Sequence, residues 1–513
     1  MSKLNNSDHW RIIDDYMAKT WGFFRVALMQ EQSFMILLFW VFLAQFCGGF
    51  AQAADPHQLY VGWATQSITP DKPVSMAGQS YLRISRKVLD PVTCTALAIE
   101  TRDGKKSVET AIMVSCDLGT TRGGLLEEVK IVLKPQLPDF DLNKLLLNAT
   151  HTHSAPALRR GKHKLPEDVM TPAEYVKFAA GPIAKAAVEA WNSRTPAGVS
   201  WGLGQAVVGH NRRAVYFKPV PSEFGTGTAT MYGKTNREDF SSIEGYEDHG
   251  LEMLFLWDEQ KKLTGMLLNV ACPSQESEHN KQLSADFWRE VRVELHKRYG
   301  NDVYVFAQCA ATGDISPRLL WRKKAEMEML KRKGISRRQE IGLRIANAVD
   351  DVFPYVQKDI KTKVIFQHFA GEFDLPVRKV TEEEMGQSEI LAKQQPNRAG
   401  WHKRIIDRYN QQKDNPYHST GVHVIRLGDV AIASNPFELF LDFGIRIKAR
   451  SKAVLTFMVQ LTDGHGSYVP TAKAEAGGGY SAILQSNRVG SEGGQILVNE
   501  TVKRINSMWE SSD

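Results

Sequence analysis

Two histidines one residue apart, in Thr150-His151-Thr152-His153-Ser154-Ala155-Pro156, form the densest chemical feature of the chain. Neutral imidazole is the commonest metal ligand and also a general base near neutral pH. The pair follows Leu145-Leu146-Leu147, which reads as the end of a buried strand, and lies in a turn closed by Pro156. Ordinary hydrogen bonds satisfy ring nitrogens equally well, so chemistry at this point needs partners from elsewhere. Candidates stand just past other apolar runs. Cys272 follows 263–270, Ser316 follows 303–308, and Glu438 follows 422–434. His210-Asn211-Arg212 comes after Val207-Val208, and Tyr468 and Tyr480 lie in a glycine-rich stretch. Polar residues in loops beyond strands are where α/β enzymes place their sites.

The elements that must position these residues follow from pattern. Strands are predicted over 59–69, 94–100, 110–117, 145–147, 199–204, 252–257, 263–270, 303–308 and 457–461, with a strand–turn–strand over 422–434. Helices are predicted over 125–133, 171–191, 286–299, 322–352 with a break near Gly334, 381–417, 435–451 and 494–509. Thr171-Pro172-Ala173-Glu174 supplies a cap, a proline at the first position and a glutamate at the third. Gly181-Pro182 predicts a kink in that helix. The stretch 463–481 reads as a glycine-rich loop. Strands interleaved with helices predict a mixed α/β fold. The expectation is one large domain over 55–513, of mixed β-sheets flanked by helices, with its site on loops after strands.

Length alone, 513 residues, allows two or three domains. A net charge of +6 over that length gives no footprint for nucleic acid. Basic residues cluster between Arg322 and Arg338, but Glu326, Glu328 and Glu340 interrupt them, so a solvated helical face is the reading. Contact with an anionic membrane surface or an acidic substrate is the alternative. At the N-terminus, 34–44 is wholly apolar and Ala51-Gln52-Ala53 has the small-residue pattern of a cleavage site. Residues 1–54 are therefore read as an N-terminal extension with a signal peptide near 34–53, and the protein as secreted or periplasmic. The apolar run is shorter than the roughly 20 residues of a spanning helix. An uncleaved signal anchor is the alternative, and Met29 or Met35 are alternative starts. The remaining cysteines, Cys94, Cys116, Cys272 and Cys309, are too sparse for a disulfide framework.

Taken in order, the blocks resemble the catalytic domain of the neutral/alkaline (non-lysosomal) ceramidases. Thr150 to Pro156 resembles that family's zinc-binding histidine motif, and His210-Asn211-Arg212 its asparagine–arginine loop. Gly313-Asp314-Ile315-Ser316-Pro317, Asn435-Pro436-Phe437-Glu438, and Tyr468-Val469-Pro470-Thr471 with Tyr480 resemble three further motifs. The resemblance spans about 57–505, and the family's C-terminal immunoglobulin-like domain is not expected. It implies a zinc-dependent amidohydrolase that cleaves an N-acyl bond with metal-activated water. Carried over, the zinc ligands are His151, Glu438 and Tyr468, and the place of a second histidine is taken by Cys272 in Ala271-Cys272-Pro273-Ser274. Thiolate is a good zinc ligand at about 2.3 Å, although its charge weakens the metal as a Lewis acid. Glu276, Glu278 and His279 lie close enough in sequence to substitute, and a small buried thiol is the plain alternative. His153 is implied as general base and then acid, with Arg212 and Tyr480 as oxyanion donors. Ser316 is implied as a nucleophile or a substrate-orienting hydroxyl, and orientation is favoured. His210 is read as structural. The implied substrate is ceramide or a related lipid amide. The alternatives are a polar, non-lipid amide or ester, and a binding protein with a degenerate site.

Overall fold

Alternation along the strands builds two sheets that share one apolar interior. The computed structural model describes residues 55–161, 163–222 and 225–510; the segment read as signal or anchor lies outside them. The larger sheet contains β1 (His57–Ser67), β2 (Thr93–Asp103), β3 (Lys106–Cys116), β4 (Leu145–Ala149), β5 (Thr195–Gln205), β6 (Gly250–Asp258), β7 (Leu263–Val270) and β8 (Tyr304–Cys309). Their order is β8-β7-β6-β5-β1-β2-β3-β4, and the short strand Lys363–Val364 pairs with β1 as the ninth. The pairs β7/β8 and β3/β4 are parallel. The smaller sheet runs β9 (Phe366–Pro376), β10 (Tyr417–Leu427), β11 (Val430–Ser434) and β13 (Leu455–Val459), with β11/β13 parallel. Two residues, Glu438–Leu439, form β12, which pairs in parallel with β14 (Tyr468–Val469).

The two sheets face each other through Leu97, Met113, Leu146 and Phe306 on one side and Ile425, Ile432 and Phe457 on the other. The opposite faces bury helices. Ala98, Val114 and Leu147 point to α1 (Leu125–Leu133) and α2 (Pro172–Asn192). Met253 and Leu268 point to α3 (Phe287–Tyr299), and α4 (Lys323–Lys333) leads to α5 (Arg337–Val356), which lies on the same face. After α6 (Glu382–Gln394) and α7 (Ala399–Gln411), α8 (Leu441–Arg450), α9 (Ala472–Gly477) and α10 (Ser491–Ser507) follow; α8 and α10 cover the smaller sheet. The mixed α/β architecture is as the sequence predicts, in four layers: helix, sheet, sheet, helix.

Thr171 and Glu174 form the expected capping box, and α2 continues through Pro182 to Asn192. The break near Gly334 is present, with that residue at φ +65°. Three expectations change. The stretch 381–417 is two helices separated at Pro396 and followed by β10, not one. The helix expected from 435 begins at Leu441, because Glu438 and Leu439 are paired with Tyr468 and Val469 instead. The 463–481 loop contains β14 and α9, the latter capped by the Thr471 side chain. The pattern also missed β9, an edge strand, and a separate sheet of Arg213–Ser222, Gly225–Met231 and Phe240–Ile243. No helix among the described residues is long and apolar enough to cross a membrane.

Candidate functional site

Strand ends from both sheets are stitched together at one end of the sandwich. Ala149 N donates to Leu461 O at 3.3 Å, Ala310 N to Val270 O at 3.0 Å and Gln460 N to Cys309 O at 3.1 Å. The loops that leave these ends carry His151, Gly313–Ser316, Glu438 and the 461–468 segment.

His151 is buried, with φ +64°. Its Nδ1 lies 2.6 Å from the Gly119 carbonyl, which can only accept, so Nδ1 carries the proton. Nε2 faces Glu438 Oε2 at 3.4 Å. In the neutral imidazole that is one acceptor facing another, a pairing that a proton or a cation between them satisfies. A histidine that donates Nδ1–H to a backbone carbonyl and offers Nε2 is the usual posture of a metal ligand. The other oxygen, Glu438 Oε1, lies 3.1 Å from His465 Nε2. Burial raises the Glu438 pKa, but His151 and His465 outweigh it and hold the carboxyl well below its ordinary range. Burial and the nearby Glu438 charge push the Tyr468 phenol pKa well up. Among the described residues, no three His, Cys, Asp or Glu side chains group closely enough to hold a metal ion on their own. The donors present are instead arranged around one carboxylate: two imidazole Nε2 atoms, its two oxygens and a phenol. That chemistry suits zinc.

His153 stands beside His151, the rings edge-on with centroids 5.0 Å apart. Its Nδ1 is 2.9 Å from Glu278 Oε2 and its Nε2 is 3.0 Å from the Gln275 amide nitrogen. Nδ1 is therefore the donor and Nε2 the acceptor. Glu278 is held in turn by Arg318 at 2.9 Å and by Gln79 at 3.1 Å. Burial lowers the His153 pKa, with Glu278 opposing. Gly78, at φ +92°, leaves room for the ring; a Cβ there would stand 2.2 Å from His153 Cγ.

Arg212 donates Nη2 to Gly313 O at 2.8 Å and to Tyr468 Oη at 3.4 Å, and Nη1 to Tyr232 Oη at 3.4 Å. Burial pulls its pKa down, but Tyr232 and Tyr468 raise it above the ordinary value, so the group stays cationic. Tyr232 Oη reaches Ser316 Oγ at 3.3 Å. The Tyr480 ring packs edge-on against Tyr468, 5.7 Å between centroids. Asp314 supports this side. It accepts from Leu441 N at the start of α8 and from the Asn211 amide, and burial pushes its pKa up to about 6. His210 pairs with Glu247 at 3.2 Å, consistent with a structural role.

Of the residues singled out in the sequence, His151, Glu438, Tyr468, His153, Arg212, Tyr480 and Ser316 are joined by these contacts. Cys272 is not. Its Sγ turns to Val208 O at 3.4 Å inside an apolar cluster with Phe287 and Trp288, and burial raises its thiol pKa well above the usual value. The three substitutes do not fill its place either: Glu278 serves His153, Glu276 lies 3.5 Å from Arg337, and His279 is exposed. Sequence reading gave no role to His465, Gln275 or Tyr232. The only signal for His465 was its place between Gly464 and Gly466, in the same loop as Tyr468.

No family model matches the chain, and no curated protein matches it in sequence. Solved structures do. The fold is similar to that of neutral ceramidase from Pseudomonas aeruginosa, with a TM-score of 0.62 and 17% identity over 88% of this chain and 75% of that one. A structure of a ceramidase complexed with C2 is similar at a TM-score of 0.61 and 15% identity, covering 88% of this chain and 76% of that one. Identity this low speaks to the backbone, and on it the chain has the fold of the neutral ceramidases.

Proposed function

We propose that the protein is a zinc-dependent hydrolase that cleaves an N-acyl amide bond. The observation that carries this reading is the facing pair His151 Nε2 and Glu438 Oε2, 3.4 Å apart, with His153 on its own carboxylate next to it. His151, Glu438 and Tyr468 are the residues that would hold zinc, which when bound supplies Lewis acidity at the scissile carbonyl. His153, its Nδ1 proton fixed on Glu278, takes a proton from the attacking water at Nε2, where the water replaces the Gln275 amide that donates there in the free protein, and returns it to the leaving nitrogen. Arg212 and Tyr480 donate to the oxygen on which charge develops. Ser316, tied to Tyr232, orients the substrate. The signal-like segment at 34–53 supports export.

A ceramide-like lipid amide is the first substrate class. A polar or anionic acyl amide is the second, and one observation favours it. Arg122 lies within electrostatic reach of Glu438 and Tyr480, and its buried Nε has no hydrogen-bond partner. Purified protein tested on a short-chain fluorescent ceramide and on N-acyl amino acids, with zinc measured on the same sample, decides the matter. Wild type is expected to hold about one zinc per chain and to cleave one class. His151→Ala is expected to lose both zinc and turnover, and His153→Ala to keep zinc while losing about 10²–10⁴-fold in kcat. A folded wild type with neither metal nor turnover overturns the proposal.

A further inference from the structure

We infer that His465 is the second imidazole of the metal-binding donor set, in place of the residue at 272; this rests on the zinc-hydrolase reading above. Two independent observations converge. Residue 272, where the sequence resemblance looks for that ligand, presents a fully buried thiol directed to Val208 O within an apolar cluster. His465, by contrast, points its Nε2 at Glu438 Oε1 from 3.1 Å, so the carboxylate has an imidazole on each oxygen.

The loop that carries His465 is built to bring it there. Leu461, Asp463 and Ser467 all have positive φ, at +55°, +58° and +67°, as does His151. Such conformations are unfavourable for residues other than glycine and persist only where the surroundings enforce them. Here they are enforced from several sides. Asp463 N donates to Leu147 O at 2.9 Å and Asp463 Oδ1 accepts from Leu147 N at 2.8 Å, which fastens the loop to the strand that delivers His151. Asp463 Oδ2 is held at 2.8 Å by His423 Nε2, and His423 Nδ1 meets His368 Nε2 at 2.9 Å. On the other flank Gly466 N donates to Pro436 O at 2.7 Å and Glu438 N to Ser467 O at 3.0 Å. Gly466 is required, because a Cβ there would stand 2.3 Å from the Phe437 ring. Together these contacts fix the loop in which the His465 ring meets Glu438.

The test is spectroscopic and thermodynamic. Cobalt(II) loaded into the purified full chain is expected to give the visible bands of a nitrogen–oxygen site without a near-ultraviolet thiolate charge-transfer band; appearance of that band overturns the inference. In chelator competition, Cys272→Ala is expected to keep wild-type zinc affinity, while His465→Ala and His465→Gln lose roughly tenfold or more. The reverse order overturns the inference. Melting curves check that each variant is folded, and the wild-type cobalt spectrum needs no variant at all. A wild type that binds neither metal overturns the zinc reading and this inference together. Zinc held at full affinity by folded His465→Ala overturns this inference alone.

Discussion

In the proposed reaction His153 is the proton acceptor, and burial shifts its pKa down, toward the neutral form that role needs. Two residues from its partner Glu278 stands a carboxylate in a different position. Glu276 is pushed up by burial to about 7, against the pull of Arg337, and one of its oxygens has no hydrogen-bond partner. Because the folded state binds this proton more tightly than the unfolded chain, the group contributes full stability below about pH 4.5 and loses it as pH rises through 7. Above that pH the buried charge costs on the order of 3 kcal/mol. Glu276→Gln is therefore expected to melt higher than wild type at pH 8 and to converge with it near pH 4; parallel melting curves across that range refute the account. The ordered motifs and the family resemblance they carry, rather than residue type alone, made His151, His153, Glu438 and Tyr468 legible in the sequence. Glu278 and His465 were not, since their roles depend on partners 125 and 27 positions away that only the fold brings close.

Among the elements, the segment around α9 and Tyr480 is held by several side chains, of which Arg213 makes the most contacts from beneath. Arg213 is fully buried and pairs with Glu244 at 2.5 Å, while also reaching Gly478 O at 2.7 Å and Ser481 Oγ at 3.3 Å. Breaking a buried pair strands the other charge, at about 3–5 kcal/mol. Arg213→Ala is expected to lose that much in denaturant unfolding. It should also speed amide hydrogen exchange over 472–482 before the sheets exchange; an unchanged exchange pattern there argues against the clasp. Caps and periodicity made the regular helices readable, as with Thr171 and Glu174. The short parallel pair β12/β14 was unreadable because its two-residue strands carry no period. A helix start was inferred at Asn435-Pro436-Phe437-Glu438 where tertiary pairing places a bridge instead.

Across the whole molecule, the site sits on the seam between two sheets, so the shared interior sets its geometry. Phe306 is wholly buried in that interior, and the carbonyl of its neighbour Ala307 accepts from Ser115 Oγ and Asn148 Nδ2, the latter in the strand before His151. Phe306→Ala is expected to cost about 3–5 kcal/mol, and activity and far-ultraviolet signal are expected to be lost at the same lowered temperature. Activity lost well before the fold would show that the seam is independently held. The mixed α/β class was legible because buried strands and capped helices alternate along the chain. The face-to-face placement of the sheets was not, since β9 and β10 lack a clean alternation. The clasp between Asp463 and Leu147 has one more consequence, and it concerns time. Those residues are 316 positions apart. At a synthesis rate of about 5–20 residues per second, roughly 15 s to a minute separates the two halves of the site. Throughout that interval a nascent chain carries His151 and His153 without the loop that bears His465 and Tyr468.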